Sequence, residues 1–293
     1  MVYPGELTLW YRLVVTSRPL VSVVTPSYNY GQYIGACLES VRRQRYPEIE
    51  HIVLDARSTD ATRDVVRSFE GTYRLTARFE ADDGQADALN KGFRLARGEV
   101  LCWLNADDYW IEPSVIEEAV AALEQADVVT GGGWYVDAEG RRFRRIRART
   151  PREIARDLAH FDVLLQPATF WRREVHRALR TDLHYAFDWA LFREMQRGHV
   201  RFATVARAWA AYRWTPAGKT ASDAAGRRGE TARLMLEEFG PRSAQYAWAR
   251  MVHRAYALAE QLPYRSAERL VKRATYWANV IVAVSTRNRI CSW

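Results

Sequence analysis

Along the first half of the chain, short apolar runs rich in β-branched residues alternate with segments whose apolar positions recur every three or four residues. Leu20-Val-Ser-Val-Val-Thr25 is the first run, and a stretch this apolar predicts a strand buried on both faces, stopped by Pro26. Ile34, Cys37, Leu38 and Val41 follow at helical spacing, ahead of Pro47. His51 to Leu54 predicts a second strand delivered to Asp55, and Ser58 or Thr59 can cap a helix carrying Val65, Val66 and Phe69. Ala77 to Glu80 reads as a third strand leading into the turn Asp82-Asp-Gly84. Gln85 to Ala96 then sets Ala88, Leu89, Phe93 and Ala96 on one helical face, with Gly98 as the expected C-cap. Glu99 to Leu104 predicts a fourth strand, ending in Asn105-Ala-Asp-Asp108. Pro113 opens a helix to Gln125, before Val128 to Thr130.

Four strand–helix units in a row predict an α/β fold with a mostly parallel sheet covered by helices on both faces. Ligands in such folds bind beyond the carboxyl ends of the strands. Asn29, Asp55, Asn105 and Asp107 all fall at those ends. Several carboxylates at one sheet edge are costly unless a cation or ligand donor sits among them, so the convergence predicts a site. Beyond Thr130 the pattern loosens. A hairpin turned at Asp137-Ala-Glu-Gly140 is expected, then helices over Pro151 to Ala159, Asp188 to Arg197 and 229–285. The divisions are 1–19, 20–130, 131–228 and 229–293.

Composition narrows the class. With 293 residues, 48% apolar and 27% charged, the chain has material for a core, which excludes disorder and a small disulfide scaffold. The longest apolar stretch, Tyr276 to Val284, is too short to span a bilayer, and the N-terminus lacks the basic and apolar regions of a signal peptide. Cys37, Cys102 and Cys291 show no metal spacing and no near neighbour, so a reducing cytoplasm is expected, with Cys37 and Cys102 in the core. Net charge is +8, concentrated in the tail: Pro241 to Trp293 holds nine Lys+Arg against two Glu. Arg141 to Arg149 adds six arginines in nine positions. Both clusters suit either an anionic partner or a solvated face. Leu270, Ala274, Trp277, Ile281 and Val284 form a stripe that fits either a helix packed on the domain or one lying on an anionic membrane.

The chain lacks GxxxxGK[ST], GxGxxG after a strand, HExxH and GxSxG, and its six histidines show no ligand spacing. What remains is four motifs in order: Val23-Val-Thr-Pro-Ser-Tyr-Asn29, Val53-Leu-Asp-Ala-Arg-Ser-Thr-Asp60, Asp83-Gly-Gln-Ala-Asp-Ala-Leu-Asn-Lys-Gly92 and Trp103-Leu-Asn-Ala-Asp-Asp108. Together they resemble the inverting nucleotide-sugar glycosyltransferases of the GT-A fold, family 2, over roughly residues 20–220. Gln166-Pro-Ala-Thr-Phe170 and Tyr185-Ala-Phe-Asp-Trp-Ala-Leu191 resemble the family's acceptor half.

The resemblance implies a nucleotide-sugar half at 20–130 and an acceptor half at 131–228, with the basic helical extension at 229–293 lying beyond it. It implies a nucleoside-diphosphate sugar donor, a hydroxyl acceptor, and a divalent cation, Mn²⁺ or Mg²⁺, on the diphosphate. The basic tail and Arg141 to Arg149 would suit an anionic or lipid-linked acceptor, or the bilayer itself. Asp107 matches the last position of the family's DxD motif and becomes the metal ligand. Asp108 is either a second ligand or a brace for the loop. Asn105 replaces the first Asp of that motif, which predicts weaker metal binding. Thr25, Pro26, Tyr28 and Asn29 would line the base pocket, with Asp55 on the base or ribose. Asp83 would either contact the nucleotide or cap the helix from Gln85. Asp188 matches the general base, with Asp182 and Asp162 as substitutes. Trp214 stands where the family often has a histidine, leaving Arg213 and Lys219 as cations for the diphosphate. Trp134, Trp171 and Trp189 are candidate sugar-stacking rings. No nucleic-acid partner is expected. A sugar-nucleotide pyrophosphorylase is disfavoured by the absence of a Gly-rich, Arg-containing loop after the first strand, whereas a binding-only relative stays open through Asn105 and Trp214.

Overall fold

The computed structural model describes residues 18–215, 218–219, 223–248, 250–251 and 254. Four parallel strands form one half of the sheet: β1 (Val21–Ser27), β2 (Ile49–Asp55), β3 (Leu75–Phe79) and β4 (Val100–Trp103), in the order β3-β2-β1-β4. The helices between them are α1 (Ile34–Arg42), α2 (Thr62–Ser68) and α3 (Gln85–Leu95). Burial on both faces explains the unbroken apolar runs. Val21 and Val23 pack on one side with α1, while Val24, Leu101 and Trp103 pack on the other with Phe93 of α3.

The second half extends the sheet with mixed direction. After β5 (Tyr109–Trp110) and α4 (Val115–Leu123) come β6 (Val128–Val136), β7 (Arg142–Ile146), α5 (Pro151–Asp157), β8 (Thr169–Arg172), α6 (Phe187–Arg197), β9 (Phe202–Arg213) and α7 (Ala224–Phe239). Strand β8 runs antiparallel between β4 and β6, and β9 runs parallel to β6 and carries β5 at its edge. The expected parallel pairing thus fills the first half and recurs between β6 and β9, while the other pairings of the second half are antiparallel. β6 and β7 form the expected hairpin, with Arg141 N donating to Asp137 Oδ1 across the turn.

Several boundaries differ from expectation. Strand β1 runs through Pro26, which pairs with Leu54, because proline's fixed φ suits an extended chain and only one ladder N–H is lost. Neither Ser58 nor Thr59 caps α2; Asp60 accepts from Thr62 N at 2.9 Å. Gly98 is not the C-cap of α3, which ends at Ala96. Its lack of a side chain serves close packing instead, since a Cβ would lie 2.5 Å from Leu20 O. The division at 228/229 falls inside α7, whose Leu234 and Met235 join the main core. Cys37 and Cys102 are buried and unpaired. The stripe from Leu270 to Val284 and Cys291 lie outside the described residues. Among the described residues no helix is long and apolar enough to cross a membrane.

Candidate functional site

A cavity of about 700 Å³ opens at the carboxyl ends of β1 and β4. Its walls come from the end of β1 and the loop after it, Ala56 just past β2, the start of α3, the loop after β4, Gln166 ahead of β8, the residues around the start of α6, and the end of β9 with the segment following it. Pro26, Tyr28, Asn105, Asp107, Asp108, Asp188, Arg213 and Lys219 all line it. Residues as far apart as 26 and 219 thus meet in one space.

The loop after β4 is the most strongly organised part. Asp108 is fully buried, and its carboxylate accepts from Arg213 N at 2.9 Å and Asn105 Nδ2 at 3.1 Å. Burial, reinforced by the adjacent Asp107, pushes its carboxyl well above the usual range. With one protein donor on each oxygen, Asp108 braces the loop. Asp107 is half-buried and faces the cavity; burial raises its carboxyl to about 6, with Arg213 pulling the other way. Asn105 sits in an amide chain: Oδ1 accepts from Gln85 Nε2 at 2.9 Å and Nδ2 donates to Gln166 Oε1 at 3.2 Å. Gln166 Nε2 in turn donates to the Trp103 carbonyl. A first-position Asp would need this chain rearranged, because Nδ2 donates twice.

On the opposite side, Asp188 lies in the first turn of α6, half-buried, with Oδ1 accepting from Trp189 N at 2.7 Å. Burial pushes its carboxyl up to about 6, partly opposed by nearby Lys219. Lys219 Nζ donates to Gln85 Oε1 at 3.1 Å and lies 5.4 Å from the Phe187 ring centroid. Burial lowers its pKa, while Glu230 and Asp188 raise it. Asp182 is no base: it is exposed, and Arg180, with Arg233 also close, holds its carboxyl down near about 2. Asp162 lies within electrostatic reach of Asp188 but does not line the cavity.

Other expected site residues take structural positions. Thr25 faces the core, its Oγ1 2.8 Å from His51 Nε2. Asp55 is 1% exposed and accepts from Ser58 N at 2.8 Å and Ser58 Oγ at 2.5 Å. Asn29 adopts φ 58° and accepts from Thr59 N at 2.8 Å, while its own N donates to Ser58 Oγ. Asn29 ties the loop after β1 to the loop after β2, and none of the three residues lines the cavity. Asp83 is exposed and caps nothing; its neighbour Asp82 lines the cavity and accepts from Gly84 N. Arg213 lines the cavity, yet its guanidinium donates to the carbonyls of Asp107, Asp137 and Ala138 and stacks 4.6 Å from the Tyr33 ring centroid. It clamps the loop to the hairpin. Trp171 and Trp189 are core residues, and Trp134 packs under Arg142; Trp214 is the one of these indoles that lines the cavity.

Asp82, Gln85, Gln166, His184, Tyr185 and Tyr212 line the cavity without having been singled out in the sequence. Gln85, Gln166 and Tyr185 stood inside the quoted motifs, which was the available signal. Oxygen donors suited to a divalent cation are present at Asp107. Among the described residues no cluster of three or more His, Cys, Asp or Glu forms a complete protein cage.

The family model "Glycosyl transferase family 2" matches residues 22–195. A putative teichuronic acid biosynthesis glycosyltransferase, TuaG of Bacillus subtilis, is 33% identical over 127 residues, 42% of this chain and 49% of the relative. An uncharacterized glycosyltransferase of Nostoc sp. is 32% identical over 157 residues, 52% of this chain and 47% of the relative. The chain thus spans about half the length of these curated relatives. Among solved structures, the mannosyltransferase PcManGT from Pyrobaculum calidifontis, in complex with GDP-Man and Mn2+, superposes with a TM-score of 0.62 at 20% identity, covering 95% of this chain and 89% of that one. S. aureus TarS with UDP-GlcNAc gives 0.58 at 20% identity, covering 82% and 72%. The fold is that of the GT-A glycosyltransferases, and with more than half of its length matched by the family model the chain belongs to glycosyl transferase family 2.

Proposed function

We propose that the protein transfers a glycosyl group from a nucleoside-diphosphate sugar to an acceptor hydroxyl with inversion, in the assembly of a cell-envelope glycoconjugate. The observation that carries this reading is the single cavity lined by Asp107 from the loop after β4 and Asp188 from the start of α6. Direct displacement needs one base, and Asp188 meets the requirement. It is ionised above about pH 6, close enough to neutrality to take a proton efficiently. As the acceptor oxygen attacks the anomeric carbon, Asp188 removes its proton. The bond from that carbon to the diphosphate breaks, and the diphosphate leaves with the electron pair.

Asp107 would hold a Mn²⁺ or Mg²⁺ ion, since its carboxylate is partly desolvated in the cavity while Asp108 is engaged on both oxygens. When bound, that ion supplies charge neutralisation to the leaving diphosphate. Lys219 lies on the Asp188 side and supplies further positive charge. The exposed arginines of β7 support an anionic or lipid-linked acceptor reached from the cytoplasmic side of a membrane.

Thermal unfolding with UDP, GDP, dTDP and CDP, each with Mn²⁺, Mg²⁺ or EDTA, tests the donor site. A ligand at 100 times its Kd adds about 2.7 kcal/mol, so one nucleotide raises Tm by several degrees, more with metal than with EDTA. Asp188→Asn then abolishes transfer and leaves that shift intact. A shift with no transfer by the wild-type chain would point to a binding-only relative. No shift from any nucleotide would overturn the reading.

A further inference from the structure

The loop leading into α6 is held from outside by one carboxylate. Glu230, half-buried on α7, accepts from three consecutive backbone N–H groups: His184 N at 2.6 Å, Tyr185 N at 2.7 Å and Ala186 N at 2.9 Å. No side chain of the N-cap residue, Ala186, contributes a bond to the helix. The orphan donors ahead of α6 are thus satisfied by a different helix, about 45 residues later in sequence, with a negative charge placed at the positive end of α6. The same loop has a second tie to α7, since Tyr185 Oη donates to Asp223 Oδ2 at 2.7 Å. His184, Tyr185, Phe187 and Asp188, which this clasp carries, all line the cavity.

We propose that Glu230 is a positioning residue for the transfer reaction, fixing the entry to α6 so that Asp188 stands in the cavity at the height of the reacting hydroxyl. The proposal rests on the reading of Asp188 as the base. A satisfied N-terminus gives the chain one path into the helix, and charge-assisted N–H bonds to a carboxylate are stronger than neutral ones. Displacements of about 1 Å at a reacting group cost orders of magnitude in rate, so a clasp here acts on turnover more than on binding. α7 is itself anchored, by Arg193 to Glu238 at 2.5 Å and by the buried Leu234 and Met235. The charged groups facing Asp188 are Asp162 from the loop after α5, Lys219 from the segment after β9, and Glu230 from α7.

The test compares wild type, Glu230→Gln, Glu230→Asp and Asp188→Asn in hydrolysis of UDP-GlcNAc and GDP-Man with Mn²⁺. Asp188 is also titrated by carbon-13 NMR, its resonance assigned through Asp188→Asn. Glu230→Gln keeps the shape but replaces one acceptor oxygen by a donor facing N–H groups. It lowers kcat at least tenfold with KM for the donor within twofold, and Asp188 titrates at lower pH because a neighbouring negative charge is gone. Glu230→Asp keeps the charge, so the Asp188 titration stays near wild type while kcat is partly restored. If Glu230→Gln leaves kcat within twofold and the titration unmoved, the proposal is wrong. Should both Glu230 variants fail to fold, Glu230 is a structural residue and the proposal falls as well. Asp188→Asn with full activity would instead sink the base assignment itself, which separates the two failures.

Discussion

Asp188 faces two opposed demands. Its carboxyl titrates near about 6 because burial disfavours the charge, and a base must be charged to act. In the unfolded chain the same group titrates near 3.9. The folded state therefore binds this proton more tightly, and ionisation at neutral pH destabilises the fold. Asp188→Asn is expected to raise stability by about 1–2 kcal/mol at pH 8, after discount for partial exposure, while removing transfer. The gain is full above about pH 6 and fades as pH falls toward the ordinary carboxylate range. Melting of both proteins across pH 4–8 checks it, and a gain that grew on acidification would contradict the assignment. Transfer by the wild type should fall as pH drops through about 6. Asp107 and Asp108 were legible as carboxylates just past a strand, whereas Asp188, at a helix start, was legible only through the family resemblance. Which of two adjacent aspartates faces inward was not: Gly84, at φ 108°, sets the turn so that Asp82 lines the cavity and Asp83 faces solvent. The contacts of Arg213 were hidden for a related reason, since the carbonyls that occupy its guanidinium belong to Asp107 and to a hairpin some 75 residues earlier in the chain.

Among the secondary-structure elements, the parallel half was readable because β1, β2 and β4 are buried on both faces, the edge strand β3 alternates, and each helix shows one apolar face. The insertion of β8 between β4 and β6 was not, because four residues, Thr169–Arg172, carry no distinguishing period. Local closeness is equally invisible. Glu50, nearly buried, accepts from Ser22 Oγ at 2.6 Å, Arg97 N at 2.5 Å and Gly98 N at 3.2 Å, tying β1, β2 and the approach to β4 together at the end away from the cavity. Gly98 must pass under that carboxylate, and an added Cβ would meet Leu20 O at 2.5 Å and Ser22 N at 2.7 Å, both backbone atoms. Gly98→Ala is expected to cost about 1–3 kcal/mol through overpacking. Gly71 offers the contrast: nothing lies within 4 Å of its would-be Cβ, but φ is +76°, so Gly71→Ala costs about 1–2 kcal/mol from backbone strain alone. The two differ in kind. Ser22→Ala should not rescue Gly98→Ala, because the atoms in the way at 2.5 Å and 2.7 Å are backbone, whereas Gly71→Asn, tolerant of that φ, should recover most of the Gly71→Ala loss; urea unfolding of these variants checks both.

For the whole molecule, the two halves recognised from the motifs are not separate bodies. One apolar cluster joins Phe93 of α3, Trp103 of β4, Trp171 of β8, Phe192 of α6 and Leu234 of α7. Within it Trp103 stacks parallel to Phe192, with ring centroids 6.2 Å apart, and meets Trp171 edge-on at 5.6 Å. Trp103 also lines the cavity, so the core that unites the halves is the floor of the site. A shared core predicts one cooperative transition rather than two. Far-UV circular dichroism follows all helices and strands, whereas tryptophan fluorescence follows the eleven indoles, of which Trp103, Trp171 and Trp189 lie in this cluster, and the two melting curves should coincide. A nucleotide bound above Trp103 must then stabilise the whole assembly. At about 2.7 kcal/mol for a ligand at 100 times its Kd, Tm rises by roughly 5–10 °C in both signals together. A fluorescence transition that moves with ligand while the dichroism transition stays behind would show that the halves unfold independently, and that the clasp between α6 and α7 does not transmit what the donor site feels.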